Sequence, residues 1–114
     1  MVNESERLDL LFAALADPTR RRIVERLARG GRSVGEIAAD FDISQPAVSK
    51  HVKVLEHSGL LKRRIEGRVH HCTLDPRAMQ HAMRWIEEQR RFWNATLDRL
   101  ETLLAPAPQR KKRS

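Results

Sequence analysis

Residues 33–57, Ser33-Val34-Gly35-Glu36-Ile37-Ala38-Ala39-Asp40-Phe41-Asp42-Ile43-Ser44-Gln45-Pro46-Ala47-Val48-Ser49-Lys50-His51-Val52-Lys53-Val54-Leu55-Glu56-His57, decide the fold. Ser33 with Glu36 three residues on has the spacing of a capping box, and Ile37, Ala38 and Phe41 follow as one apolar face, so a short helix is expected over about Ser33–Phe41. Asp42, Ile43 and Ser44 make a three-residue turn. Ser44 then caps a second helix, with Pro46 tolerated in its first turn, that runs to about His57 and stops at Ser58-Gly59. Ala47, Val48, Val52 and Leu55 form its inward face. Gln45, Ser49, Lys50, His51 and Lys53 are left on or beside the opposite one.

Downstream, Leu60–Ile65 and Val69–Leu74 read as two strands of a hairpin around Glu66-Gly67-Arg68, with Gly67 supplying a positive φ. Leu61, Arg63 and Ile65 alternate with Leu60, Lys62 and Arg64, so one side faces a core and cations reach the tip. Upstream, Leu8, Leu11, Phe12 and Leu15 mark one face of a helix over Ser5–Ala16. Asp17-Pro18 restarts the chain into another helix, to about Ala28, with Ile23, Val24 and Leu27 inside and Arg20, Arg21, Arg22, Arg26 and Arg29 outside. Asp75-Pro76 opens the longest helix, Pro76–Leu104. The fold class expected is mainly α with a small β-hairpin: a winged helix-turn-helix with a long C-terminal dimerisation helix.

That last helix is about 40 Å long at 1.5 Å per residue, more than one small domain covers. Met79, Met83, Ile86, Trp93, Leu97, Leu100 and Leu104 recur at alternating four- and three-residue spacings, interrupted only by Arg90. This stripe, together with Leu8, Leu11 and Phe12 of the first helix, is read as a homodimer seam. Met79, Met83, Trp85, Phe92 and Trp93 are assigned to core or interface rather than to a ligand pocket.

The chain has 114 residues and a formal charge of +7. That length suits one domain over 1–105, followed by a basic tail over 106–114 that carries Arg110, Lys111, Lys112 and Arg113 and reads as disordered. Residues 1–43 hold 7 Lys/Arg against 8 Asp/Glu, and residues 72–109 hold 5 against 5. The window 44–71 holds 6 cations against Glu56 and Glu66, and four of the five histidines. An excess focused on the second helix and the hairpin suits a polyanion, because each phosphate neutralised releases condensed counterions. No stretch is apolar enough to span a membrane, nothing N-terminal reads as a signal peptide, and a single cysteine precludes an intrachain disulfide, so a cytoplasmic protein is expected.

An α-helix fits the major groove of B-form DNA, and a basic hairpin lies along backbone or minor groove. On this reading the helix 44–57 reads the duplex and the wing 60–74 braces it. Gln45 can pair bidentately with adenine, Lys50 can donate to guanine or phosphate, and the helix's first amides, with Ser44 and Ser49 nearby, suit phosphate oxygens or base edges. Lys53 either contacts DNA or snorkels along the surface.

The blocks Leu15-Ala16-Asp17-Pro18-Thr19-Arg20, Val34-Gly35-Glu36-Ile37-Ala38, Ser44 through Leu55, Gly59-Leu60-Leu61 and Glu66-Gly67-Arg68, in this order and spacing, closely resemble the ArsR-type winged-helix repressors over about Leu8–Leu74. The resemblance implies a homodimeric bacterial or archaeal regulator that binds a near-palindromic operator, often its own, and pairs through its first and last helices. It also implies that Gln45, Ser49, Lys50 and His51 face the operator, with Arg64 and Arg68 on the wing. Many such turns carry glycine where this chain has Asp42, a residue that tolerates left-handed backbone better than most. Metal-sensing members carry a cysteine pair where this chain has Ser33 and Gly35, and the last helix offers only His81. No metal and no cofactor are therefore expected.

Cys72 stands beside His70 and His71, but strand geometry puts 70 and 72 on one face and 71 on the other, which splits the trio. A semi-buried, unreactive thiol is expected, no catalytic residue is assigned, and an enzyme is disfavoured. The competing reading is a protein-interaction module that uses the last helix and binds nucleic acid non-specifically. The inducer stays open between a small organic molecule, an accessory protein and concentration alone.

Overall fold

The computed structural model describes residues 3–106 as five helices and three strands: α1 (Glu4–Leu15), α2 (Pro18–Leu27), β1 (Arg32–Ser33), α3 (Val34–Phe41), α4 (Gln45–His57), β2 (Leu61–Glu66), β3 (Val69–Leu74) and α5 (Pro76–Leu104). Residues 107–114, with the basic run, lie outside the described residues. The chain divides into two units, one through Ala82 and one from Met83, and α5 crosses the boundary.

The first four helices each begin on a side chain that satisfies otherwise orphaned amides. Asn3 and Glu6 form a capping box before α1, and Ser33 and Glu36 form the expected one before α3, with bonds of 2.9 and 3.1 Å. The Ser33 amide holds the Glu36 carboxyl below its usual range. Asp17 accepts the Arg20 amide at 3.0 Å ahead of Pro18, a bond that lowers its own pKa, and Ser44 accepts the Ala47 amide at 3.3 Å. α3 ends on Asp42 at φ 55°, ψ 46°, so the turn does take the left-handed form with aspartate in place of glycine.

The core joins Leu11 and Ala14 of α1, the stripe of α2, Ile37 and Ala38 of α3, and Val48, Val52 and Leu55 of α4, closed beneath by Leu60, Leu61 and Cys72. Fully burying one such aliphatic side chain contributes about 1.5–3 kcal/mol. The sheet is antiparallel in the order β1-β3-β2. Its register pairs Leu61 with Leu74, Arg63 with Cys72 and Ile65 with His70 on the face that carries the buried side chains. Lys62–Thr73, Arg64–His71 and Glu66–Val69 form the other face. A two-residue turn, Gly67-Arg68, closes the hairpin with Gly67 at φ 61°.

Several sequence expectations need correction. Leu11 is 1% exposed, because α1 turns Leu11 and Ala14 into the core, so Leu11 has no surface to give a dimer seam. Arg20 is half-buried rather than outside, drawn in by carbonyls at the end of α1. Cys72 is fully buried, not semi-buried, and burial pushes its thiol pKa up. Leu60 precedes the strand and donates its amide to the Leu55 carbonyl, so Leu60 and Leu61 are both buried where alternation placed them on opposite sides. Ile65 is 60% exposed, since the hairpin tip extends past the core. β1, two residues paired with Cys72 and His71, carried no periodic signal.

In the second unit α5 runs from Met83 to Leu104, with Met83, Ile86, Trp93, Leu97 and Leu100 exposed. Phe92 and Trp93 meet edge to face at 5.8 Å between ring centres. Arg90, which breaks the apolar stripe, folds back on Glu87 with Nη2 to Oε2 at 2.5 Å, and the guanidinium holds the Glu87 carboxyl low.

Candidate nucleic-acid interface

α4 is fixed from below by Val48, Val52 and Leu55, and this determines what its other side presents. Ser44, Gln45, Lys50 and Lys53 are exposed, while Ser49 and His51 are half-buried. The Ser44 hydroxyl is already occupied as a cap. The Gln45 amide lies over Gly35, where an added Cβ would stand 3.6 Å from Nε2, in ordinary contact. His51 is the member of the set tied to other elements: its Nδ1 is 3.4 Å from Arg20 Nη1 and 3.9 Å from Asp17 Oδ2.

The wing is built on an arginine that the sequence did not distinguish from its neighbours. Arg63 packs against α4, with Nη2 2.5 Å from Glu56 Oε1 and Nη1 3.1 Å from His70 Nδ1. On the opposite face Arg64 pairs with Glu66 Oε2 at 2.5 Å, and His71 Nε2 approaches Glu66 Oε1 at 3.3 Å. Arg68 is exposed in the turn.

These pairs resolve the charge of the window. Its two acids are taken up by Arg63 and Arg64, which leaves Lys50, Lys53, Lys62 and Arg68 with no carboxylate within ion-pair distance among the described residues. Lys62 acts at longer range on Asp75, whose carboxyl is held at about 2 chiefly by its hydrogen bonds from Arg77. Within the window the unneutralised cations are thus two on α4, one on β2 and one in the wing turn. Arg64, expected on the wing among the DNA-facing residues, has its guanidinium paired with Glu66. Cys72 and His70 share a strand face as expected while His71 points away, and among the described residues no cluster of three metal-ligating side chains occurs.

The expected dimerisation residues divide in a similar way. Leu8 and Met79 are half-buried, Leu11 is buried, and Phe12, Met83, Ile86, Trp93, Leu97 and Leu100 are exposed. Among the described residues no helix is long and apolar enough to cross a membrane.

Residues 15–64 match a family model described as a helix-turn-helix domain. The chain is 46% identical over 89 residues to the HTH-type transcriptional regulator Rv2034 of Mycobacterium tuberculosis, covering 78% of this chain and 80% of that protein. It is 32% identical over 76 residues to the transcriptional repressor SdpR of Bacillus subtilis, covering 67% and 84%. The crystal structure of an ArsR family transcriptional regulator superposes with a TM-score of 0.75 at 38% identity, over 82% of this chain and 97% of that one.

Proposed function

The chain belongs to the ArsR family of winged helix-turn-helix transcriptional regulators, and from that premise we propose that it is a homodimeric repressor whose two α4 helices enter successive major grooves of a near-palindromic operator. The carrying observation is that four exposed cations of α4 and the wing, Lys50, Lys53, Lys62 and Arg68, have no carboxylate within ion-pair distance among the described residues. Gln45 reads a base edge, Ser49 and Lys50 contact base or phosphate, and Lys53 meets backbone. Ser44 acts mainly as the cap that aims the first amides of α4 at phosphate, and His51 adds a donor beside them. On the wing Arg68 takes the phosphate or minor-groove contact, and Arg64 follows when Glu66 yields it.

The apolar stripe of α5, exposed at Met83, Ile86, Trp93, Leu97 and Leu100, supplies the dimer seam with Phe12 and the half-buried Leu8 and Met79. Two-fold pairing then sets half-sites about 34 Å apart. Occupying the operator excludes polymerase, and the gene's own promoter is the first candidate target. The protein works in the cytoplasm, catalyses no reaction, and uses no metal or cofactor. The effector is a small organic molecule, an accessory protein or concentration itself. A mobility shift followed by footprinting on the DNA upstream of its own gene tests the reading. Protection of two symmetric half-sites supports it, and uniform coating of any duplex contradicts it.

A further inference from the structure

Asp17, Arg20 and His51 meet where the end of α1, the start of α2 and the middle of α4 converge, and all three are partly buried. Arg20 donates from Nε to the Ala14 carbonyl at 2.6 Å and from Nη2 to the Ala13 carbonyl at 3.2 Å, both in the last turn of α1. Its remaining nitrogen, Nη1, lies 3.4 Å from His51 Nδ1. Asp17 Oδ2 is 3.9 Å from that same Nδ1 and accepts the Arg20 backbone amide.

A guanidinium stays charged and only donates, so this contact exists only when Nδ1 accepts. The proton of the neutral ring is then on Nε2. A carboxylate only accepts and, acting alone on Nδ1, selects the opposite tautomer. Arg20 is the nearer of the two and is anchored by two α1 carbonyls. We infer that Arg20, which lies on α2 and outside α3 and α4, is a positioning residue for DNA recognition: it fixes His51 in the Nε2-protonated form, so that α4 offers an N–H donor to a phosphate oxygen. This inference rests on α4 being the DNA-facing helix. The partner of one ring nitrogen fixes a histidine's tautomer and hence what its other nitrogen can do.

The experiment has a spectroscopic arm and a binding arm. Two-bond proton–nitrogen correlation spectra, recorded where the imidazole is neutral, are expected to show His51 as the Nε2–H tautomer in the wild type and in D17N. In R20M they should shift toward Nδ1–H. R20K, which keeps a charged group on a single donor nitrogen, should restore part of the wild-type pattern. If the wild type is Nδ1–H, or if D17N rather than R20M changes the tautomer, the assignment is overturned. D17N keeps a capping oxygen, so this arm survives a poorly folding R20M. In the binding arm the probe is a duplex selected by the wild type from a random pool. R20M should weaken binding about fivefold in the wild-type background and less than twofold in H51A. Equal losses in both backgrounds reduce Arg20 to a scaffold residue and overturn the inference while leaving the DNA-facing reading intact. An H51A protein that binds the duplex like the wild type removes His51 from the interface, so that part of the proposed function fails and the inference with it.

Discussion

Arg63 on the first wing strand donates to Glu56 in the last turn of α4, with Nη2 to Oε1 at 2.5 Å and the arginine side chain only 12% exposed. A second donor, Nη1, stands 3.1 Å from His70 Nδ1 on the partner strand. The wing is thereby tied to the helix it works beside. E56A, which leaves a largely buried guanidinium to His70 alone, is predicted to cost about 1 kcal/mol in urea unfolding. R63A also removes the arginine stem from the sheet face and is predicted to cost about 2 kcal/mol.

Asp42 holds φ 55° without a glycine's freedom. D42G is predicted to leave stability unchanged or raise it by up to about 1 kcal/mol, and D42V to lower it by about 1–2 kcal/mol, since a branched side chain is least tolerant of left-handed backbone. Denaturant midpoints at constant slope check both values.

Asp75 is held at about 2, against an ordinary 3.8, first by the side-chain and then by the backbone hydrogen bond from Arg77. A depressed folded-state pKa contributes stability that is fully present above the unfolded value and fades as pH falls through the folded one. The melting-temperature gap between wild type and D75N should therefore be constant above about pH 4 and close between pH 4 and 2. A gap independent of pH over that range contradicts the assignment.

Cys72 is fully buried and its thiol is pushed up by desolvation. An aromatic disulfide reagent at neutral pH should label it only at the rate of global opening, and promptly in denaturant. With a raised folded pKa the thiol's contribution is present below the unfolded value and lost as pH rises through the folded one, so C72A should differ from wild type least in strong alkali.

Much of this was legible from spacing and caps. Ser33/Glu36, Asp17-Pro18 and Ser44 each announce a helix start through one local hydrogen bond, and the inward stripes of α2 and α4 follow from period alone. The wing's existence was also readable, because Gly67 sits between two β-rich runs. What sequence could not separate were chemically identical residues whose roles depend on distant partners. Arg20 turns inward while Arg22 stays out, and Arg63 is tied down while Arg68 is exposed. The partners of Arg20 come from α1 and α4, and those of Arg63 from α4 and β3. Leu11 and Phe12 are neighbours on one apolar arc, and only packing against α2 and α4 decides which of them is buried. β1 was invisible because two residues carry no period.

The stripe on α5 makes a separate prediction. L97E combined with W93E puts charge where two apolar helices are to meet, and should yield a monomer by light scattering, with the helical signal retained and affinity for a two-half-site duplex reduced at least about tenfold.

The central claim is that α4 reads sequence, and the most direct test compares Q45A and K50A on a selected duplex and on a random one across a salt series. Q45A is predicted to lose about 1–3 kcal/mol on the selected duplex and almost nothing on the random one. K50A should weaken both and lower the salt slope by about 1 per protomer. A Q45A protein that loses affinity equally on both duplexes would contradict the claim.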